Sequence, residues 1–273
     1  MQVTVDSLGA ELISVVKDGK ERVWQNPTGE WAGHAPLLFP VCGHCGVSVD
    51  GISYPIAMHG VARKSQFALV EQGETFVCLA LASDEATRKV FPFDFIFEVT
   101  YRLNGNTLQI EFNVKNPAQT PLYFACGSHE SYALDENVDG YSIEFETQET
   151  LTHYPHNNGG YLTGEKVDYG TRKVLDLPRD VLQDGTTLIF KGIQSRKVRL
   201  MKKDGTPLAD VSFEGFPNLL FWRALDAKYI CIEPWTNLPD LADVPDVEFS
   251  HKEGVMRVDG GASKKLVRTI TYF

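Results

Sequence analysis

Residues 95–114 read Phe-Ile-Phe-Glu-Val-Thr-Tyr-Arg-Leu-Asn-Gly-Asn-Thr-Leu-Gln-Ile-Glu-Phe-Asn-Val. Apolar side chains occupy every second position on both sides of the Asn-Gly-Asn turn: Phe95, Phe97, Val99, Tyr101 and Leu103 before it, and Leu108, Ile110, Phe112 and Val114 after it. A period of two is the spacing of a strand that buries one face. The stretch therefore predicts a half-buried antiparallel hairpin.

Strand-like apolar runs recur along the rest of the chain. They lie at residues 11–16, 22–24, 141–145, 188–190, 198–201, 211–213, 219–222, 229–232 and 266–273. Asp18-Gly19 and Asp204-Gly205 are turn sequences typical of hairpins. Residues 83–89 and 224–228 look helical, but both are too short to be the crossover helices of a parallel sheet. We therefore predict one all-β domain over residues 1–273, a large antiparallel β-sandwich with very few short helices.

Composition is that of an ordinary soluble globular protein. Of 273 residues, 43% are hydrophobic and 23% are charged. The formal net charge of −10 argues against nucleic acid and anionic membranes as partners, because both attract basic proteins. No window reaches the roughly eighteen apolar residues of a membrane span, and the N-terminus lacks a basic region followed by an apolar core. Together with five cysteines, an odd number, these features favour a cytoplasmic protein with free thiols.

Two stretches place acid–base side chains where apolar runs are interrupted. After Gly127-Ser128 the chain presents His129 and Glu130, with aromatic residues on both sides. In residues 229–235, Glu233 interrupts an apolar strand and is followed by Pro-Trp. Histidine exchanges protons near neutral pH, and a desolvated glutamate has a raised pKa. Together they suit proton transfer on a sugar; the alternatives are a histidine that satisfies a backbone group and a surface carboxylate.

Motifs for other chemistries are weak or missing. Cys42-Gly43-His44-Cys45 has the spacing of a metal or redox pair, but zinc takes about four ligands and the sequence has no second pair with suitable spacing. It also has no G-x-S-x-G nucleophile elbow, no phosphate-binding loop and no dinucleotide fingerprint. We therefore expect reduced structural cysteines, no metal and no cofactor.

An ordered set of motifs resembles the aldose 1-epimerase family, which is galactose mutarotase-like, and within it the LacX-like branch. The set runs over most of the chain: Leu38-Phe39-Pro40, His59-Gly60-Val61-Ala62-Arg63, Phe91-Pro92-Phe93-Asp94-Phe95, Gly127-Ser128-His129 and Ile232-Glu233-Pro234-Trp235. Each motif alone is weak, and their order is what is specific. The resemblance implies a β-supersandwich that binds a hexose.

The resemblance also implies roles for individual residues. His129 would be the general acid toward the ring oxygen, and Glu233 the general base toward the anomeric hydroxyl. His59 and Arg63 would hold sugar hydroxyls or transition-state charge. Asp184 is a candidate for a further sugar ligand, because Thr186-Thr187 occupies the place where relatives have an acidic residue. The implied reaction needs no cofactor.

Departures from the family pattern leave two alternatives open. Glu130 follows the acid histidine where many relatives have proline, so it is a rival base, although on a strand it would face away from His129. His44 stands where arginine is frequent, which weakens a phosphate-binding interpretation. A hexose-6-phosphate 1-epimerase would need clustered cations, and a non-catalytic carbohydrate-binding protein could keep the same fold. The sequence does not define the sugar or the oligomeric state.

Overall fold

Strands dominate the structure, a computed structural model that describes residues 1–244 and 247–273. The described residues form twenty-two β-strands: β1 Gln2–Val5, β2 Leu12–Lys17, β3 Lys20–Glu21, β4 Leu37–Leu38, β5 Val47–Val49, β6 Ile52–Tyr54, β7 Ala68–Gln72, β8 Phe76–Ala82, β9 Ile96–Asn104, β10 Thr107–Lys115, β11 Leu122–Phe124, β12 Gly127–Ser128, β13 Glu130–Ala133, β14 Tyr141–His153, β15 Val167–Asp176, β16 Leu188–Phe190, β17 Lys197–Lys202, β18 Pro207–Ser212, β19 Asn218–Trp222, β20 Tyr229–Trp235, β21 Met256–Val258 and β22 Ser263–Tyr272.

The hairpin predicted from residues 95–114 is the pair β9 and β10. Val99 lies opposite Phe112 and Tyr101 lies opposite Ile110, and all four side chains are buried. The two strands join at the turn Gly105-Asn106, where Gly105 adopts a positive φ of 59°. The alternating sequence thus produces the half-buried hairpin that it predicts.

Most strands belong to one long antiparallel sheet. Its order is β4-β12-β20-β19-β16-β14-β17-β18-β22-β10-β9-β8-β7, with β13 paired to β20 and β15 paired to β14. Smaller sheets are formed by β1-β2-β3, by β5-β6 and by β11-β21. The prediction of an all-β, antiparallel architecture is confirmed.

Helices are few and short among the described residues. The predicted helix near residues 83–89 is α1 (Glu85–Arg88), whose Thr87 N–H donates to the Asp84 side chain. A second helix, α2 (Arg179–Leu182), was not predicted, and the 3₁₀ turns are Ala62–Lys64, Val138–Gly140 and Phe249–His251. Among the described residues, no helix has the length and apolar character to cross a membrane.

The helix predicted at residues 224–228 is wrong, because this segment is a turn. Leu225 has a positive φ of 48°, which a helix does not allow. The turn wraps the buried guanidinium of Arg223, which donates to the Asp226 carboxylate at 2.7 Å and to the Ala227 carbonyl oxygen at 3.1 Å. These tertiary hydrogen bonds override the helix propensity of the segment.

Strand β20 lies between β12 and β19 in the sheet and buries both of its faces. Ile230 and Ile232 pack in the main hydrophobic core. Tyr229 and Cys231 alternate with them and pack in a separate cluster with tryptophan side chains. Glu233 continues this second face and is 1% exposed, so a carboxyl group lies in a buried, aromatic environment.

Candidate active site

Strand pairing brings His129 and Glu233 together. On either side of them, Gly127 is paired with Trp235 and Glu130 with Ile232, so the register places His129 directly opposite Glu233. Directly opposed residues on one face of an antiparallel pair lie close enough for their side chains to interact. The Nε2 atom of His129 is 3.3 Å from Oε1 of Glu233.

Burial favours the uncharged form of both side chains. His129 is 9% exposed and Glu233 is 1% exposed. Desolvation lowers the pKa of His129 to about 3, and the nearby charge of Arg63 acts in the same direction. Desolvation raises the pKa of Glu233 well above its usual value, against the effect of the Trp235 indole N–H. Both shifts therefore favour a neutral imidazole and a protonated carboxyl group, whose Nε2 and Oε1 atoms are 3.3 Å apart.

A tight turn presents His59 to the same place. His59 and Gly60 have positive φ angles of 66° and 75°, and a Cβ atom at Gly60 would collide with the backbone of Phe39 and Pro40. The Nδ1 atom of His59 accepts a hydrogen bond from the Gly43 N–H at 3.0 Å, so the neutral ring carries its proton on Nε2.

The His59 imidazole is a neutral donor beside His129. The two ring centroids are 5.9 Å apart in an edge-on arrangement. Burial lowers the pKa of His59 well below its usual value, and the charges of His129 and Arg63 act in the same direction. A neutral imidazole with a fixed tautomer can donate a hydrogen bond to a sugar hydroxyl.

Arg63 supplies positive charge to the site. It lies in the 3₁₀ turn Ala62–Lys64 and is half-buried, and its Nε atom has no hydrogen-bond partner among the described residues. Burial lowers the pKa of Arg63, whereas Glu11 acts to raise it. The guanidinium charge reaches both His59 and His129, since it lowers the pKa of each. The structure therefore brings His59, His129 and Glu233 together, with the charge of Arg63 acting on the two histidines.

Aromatic rings surround the histidine–glutamate pair. The rings of Trp31 and Trp222 each have centroids 5.2 Å from the His129 ring. Trp235 lies 5.4 Å from the His59 ring, and Trp31 stacks on Tyr229 at 5.5 Å. Such rings offer apolar faces to the C–H groups of a pyranose.

Sequence reasoning did not identify Trp31 and Trp222 as site residues. Trp31 lies in an irregular segment, so no periodicity predicts where its ring points. Trp222 could have been found from alternation on β19, because Leu219 and Phe221 belong to the main core and Trp222 therefore leaves the strand on the opposite face.

Comparison with known proteins agrees with this architecture. A sequence profile described as aldose 1-epimerase matches residues 1–242. The chain belongs to the aldose 1-epimerase family. The plasmid form of protein LacX from Lactococcus lactis subsp. lactis is 30% identical over 259 residues, covering 87% of this chain and 85% of that protein.

Two solved structures share the fold over nearly the whole chain. The galactose mutarotase related enzyme from Lactobacillus acidophilus has a TM-score of 0.89 and 27% identity, and the match covers 99% of this chain and 94% of that chain. The galactose mutarotase-like protein from Lactobacillus casei ATCC 334 has a TM-score of 0.91 and 27% identity, with coverage of 99% and 96%. The resemblance to the galactose mutarotase-like fold is thereby confirmed.

Glu130, the rival base considered from the sequence, faces away from the site. Its carboxylate forms an ion pair with Arg268 of β22, and both side chains are fully buried. The positive charge of Arg268 also acts to lower the pKa of Tyr101, Tyr272 and Cys126. Strand alternation predicts this direction, because adjacent residues leave a strand on opposite faces.

The structure does not bring Asp184 into contact with the pair. Asp184 is exposed on the loop between α2 and β16, and its Oδ1 accepts a hydrogen bond from the Thr186 hydroxyl at 2.8 Å. These hydrogen bonds from Thr186 lower the pKa of Asp184. Its loop does reach the site, because the carbonyl oxygen of Gly185 accepts a hydrogen bond from the Trp222 indole at 2.9 Å.

The Cys-x-x-C segment lies beside the site. Cys42 and Cys45 are buried and no disulfide joins them, and neither belongs to a group of potential metal ligands among the described residues. His44 stacks on Tyr161 with ring centroids 4.9 Å apart. Its charge also acts to lower the pKa of His59.

Proposed function

We propose that this protein is an aldose 1-epimerase that interconverts the α and β anomers of a free hexose by general acid–base catalysis. The carrying observation is the buried contact of 3.3 Å between Nε2 of His129 and Oε1 of Glu233. The ring oxygen and the anomeric hydroxyl of a pyranose are bonded to the same carbon, C1. A proton donor and a proton acceptor must therefore lie side by side to serve both oxygens.

The proposed cycle opens and closes the ring. Glu233 removes the proton of the C1 hydroxyl while His129 gives a proton to the ring oxygen, so the C1–O5 bond breaks and C1 becomes an aldehyde. Rotation about the C1–C2 bond turns the other carbonyl face toward the O5 hydroxyl. Closure returns each proton to its origin, and the protein ends as it began. Each positioned group contributes about 10²- to 10⁴-fold.

The cycle needs one transferable proton shared between the His129 imidazole and the Glu233 carboxyl group. In the free protein, burial favours neutral His129 and protonated Glu233. The catalytic form with imidazolium and carboxylate differs from it by one proton transfer between the two side chains. Hydrogen bonds from the sugar stabilise that charged form, because the C1 hydroxyl donates to the carboxylate and the ring oxygen accepts from the imidazolium.

The neighbouring residues support binding of a neutral sugar. His59 would donate from Nε2 to a hydroxyl, and Arg63 would stabilise oxyanion charge in the transition state. Trp31 packs on His129, so its ring must shift when a pyranose contacts both members of the pair. We keep Asp184 as a more distant sugar ligand, which requires its exposed loop to close over the site.

The domain organisation, cellular location and partners of the enzyme are part of the same proposal. The site draws on residues from Trp31 to Trp235, which supports one catalytic domain over residues 1–273. Among the described residues, none of the five cysteines forms a disulfide, which supports a reducing, cytoplasmic environment. The substrate is a small sugar, with no nucleic acid or membrane partner.

Hexose 6-phosphates are the second candidate substrate class. Among the described residues, Arg63 is the cation whose charge alters the pKa of both site histidines. A phosphate-specific enzyme would be expected to cluster several such groups. We therefore expect glucose to be turned over with a higher kcat/KM than glucose 6-phosphate, and a preference of about tenfold for the phosphate would reverse this ranking.

Substitution of the pair tests the proposed roles. His129→Asn and Glu233→Gln should each lower kcat by about 10² or more while the near-ultraviolet circular dichroism is unchanged, and the double variant should lose much less than the product of the two. His251→Asn, at an exposed histidine, is the matched control. Single variants that stay within a few-fold of wild type would disprove the roles. Sugar binding without any turnover by the wild type would favour a non-catalytic carbohydrate-binding protein.

A further inference from the structure

Cys231 lies beside the proposed acid–base pair and has no part in the chemistry above. It precedes Glu233 by two residues on β20, so both side chains leave the strand on the same face. The Sγ atom of Cys231, a ring nitrogen of His129 and a carboxylate oxygen of Glu233 all lie within 4.8 Å of one another. In the described part of the chain, this is the one group of three such side chains that meets this distance.

The cluster contains a buried carboxyl oxygen that lies 3.3 Å from His129 Nε2 without forming a well-aligned hydrogen bond. Cys231 is 0% exposed and Glu233 is 1% exposed. The Oε1 atom of Glu233 has no hydrogen-bond partner among residues 1–244 and 247–273. Buried oxygen atoms are normally paired, and an unpaired one is costly unless a proton, a ligand or a cation occupies the adjacent space.

The separations match a tetrahedral metal. Two ligands about 2.0–2.1 Å from zinc are about 3.3–3.4 Å apart when the geometry is tetrahedral. His129 Nε2 and Glu233 Oε1 are 3.3 Å apart. A sulfur ligand at about 2.3 Å would lie about 3.6 Å from each of them. Because Sγ of Cys231 is already within 4.8 Å, a shift of about 1 Å completes the set.

We propose that His129, Cys231 and Glu233 bind one thiophilic divalent cation of the zinc type, and that this cation inhibits the enzyme. Thiolate, imidazole and carboxylate are ligands that Zn²⁺ takes in proteins. Binding displaces the thiol proton and the carboxyl proton to solvent, and the two anions then neutralise the cation. The bound metal takes up the imidazole lone pair of His129 and the carboxylate of Glu233, so neither group can transfer a proton. Only the inhibitory part of the inference rests on the proposed function.

Cobalt is the probe for binding, because Co²⁺ bound to a thiolate has a charge-transfer band in the near ultraviolet and Zn²⁺ has none. Chelator-treated protein is titrated with CoCl₂, and bound cobalt is then displaced with ZnCl₂. We expect the band to saturate at one equivalent and to disappear on displacement. No thiolate band up to several equivalents of cobalt would overturn the proposed site, whether or not the protein has epimerase activity.

Cysteine variants locate the site. Cys231→Ser should abolish the band and weaken zinc binding at least about tenfold, because one of three protein ligands is lost. Cys42→Ser is the matched control, since Cys42 is also a buried free thiol but lies outside the cluster. Cys231→Ala serves as a second variant if the serine protein does not fold. A band that survives in both Cys231 variants, or is lost in Cys42→Ser, would overturn the assignment.

Kinetics test the inhibition. Zinc should lower the polarimetric rate of the wild type, and a chelator should restore it. The inhibition constant of zinc should be at least about tenfold higher for Cys231→Ser than for the wild type. To compare the two, each protein's rate is divided by its own rate without zinc. Zinc that binds at one equivalent without slowing turnover would overturn the inhibitory part. A metal-free wild type with no turnover would refute the proposed function, while the cobalt titration would still decide the site.

Discussion

Glu130→Gln should destabilise the protein and leave its epimerase turnover close to that of the wild type. Glu130 and Arg268 form an ion pair whose side chains are 2% and 1% exposed. Burial lowers the pKa of Arg268 to about 10, so the guanidinium stays charged at neutral pH. Glutamine keeps the shape of Glu130 and removes its charge, which leaves a buried cation without its counter-charge.

The expected loss is large compared with the stability of a typical domain. Breaking a buried ion pair by neutralising one partner costs about 3–5 kcal/mol, whereas a domain is stable by about 5–15 kcal/mol. The melting temperature should fall by roughly 6–20 °C. Replacing both partners by apolar residues, as in Glu130→Leu with Arg268→Met, removes both charges and should be less destabilising than Glu130→Gln alone.

Urea unfolding and polarimetry measure the two quantities separately. The control is Glu111→Gln, because Glu111 pairs with the exposed Lys265 at 2.8 Å across β10 and β22. That change should cost less than about 1 kcal/mol. The reasoning fails if Glu130→Gln costs no more than the control. It also fails if Glu130→Gln abolishes turnover at unchanged stability while Glu233→Gln remains active, since Glu130 would then be the base.

Three further predictions follow from the site. The pH profile of kcat/KM should be bell-shaped, because activity requires one proton on the His129–Glu233 pair. Activity should fall below about pH 3, where His129 gains a second proton for the pair. It should also fall at alkaline pH, well above the usual glutamate pKa, where Glu233 loses its proton. Trp31→Ala should raise KM roughly 3- to 10-fold with a smaller effect on kcat, as measured by sugar titrations. Gly60→Ala should destabilise by several kcal/mol more than Gly51→Ala in thermal unfolding, since both positions have a positive φ but only Gly60 is crowded by backbone.

Elements with local patterns were predictable from the sequence. The β9–β10 hairpin follows from alternation over twenty residues, and no distant contact is needed to infer it. The segment at 224–228 was misassigned because its conformation depends on the hydrogen bonds of Arg223 with Asp226 and Ala227. Propensity contains no information about such tertiary contacts.

The site depends on strand register, which the sequence does not specify locally. His129 and Glu233 meet because β12 and β13 pair with β20 in one continuous register, although the two residues are distant in the chain. Their selection as candidates came from acid–base chemistry and family resemblance. The position of Trp31 also depends on tertiary contacts. The Glu11 carboxylate accepts hydrogen bonds from the N–H groups of His34 and Ala35, at the end of the loop that contains Trp31.

Polarimetry with freshly dissolved sugar tests the central claim most directly. α-D-Glucose and α-D-galactose are followed to anomeric equilibrium with wild-type protein, with Glu233→Gln at the same concentration, and with buffer alone. We predict that the wild type accelerates the approach to an unchanged equilibrium rotation for at least one of the two sugars, in proportion to protein concentration. The variant should be slower than the wild type by about 10² or more. A wild-type rate equal to that of buffer for both sugars, or equal rates for wild type and variant, would contradict catalysis by the His129–Glu233 pair.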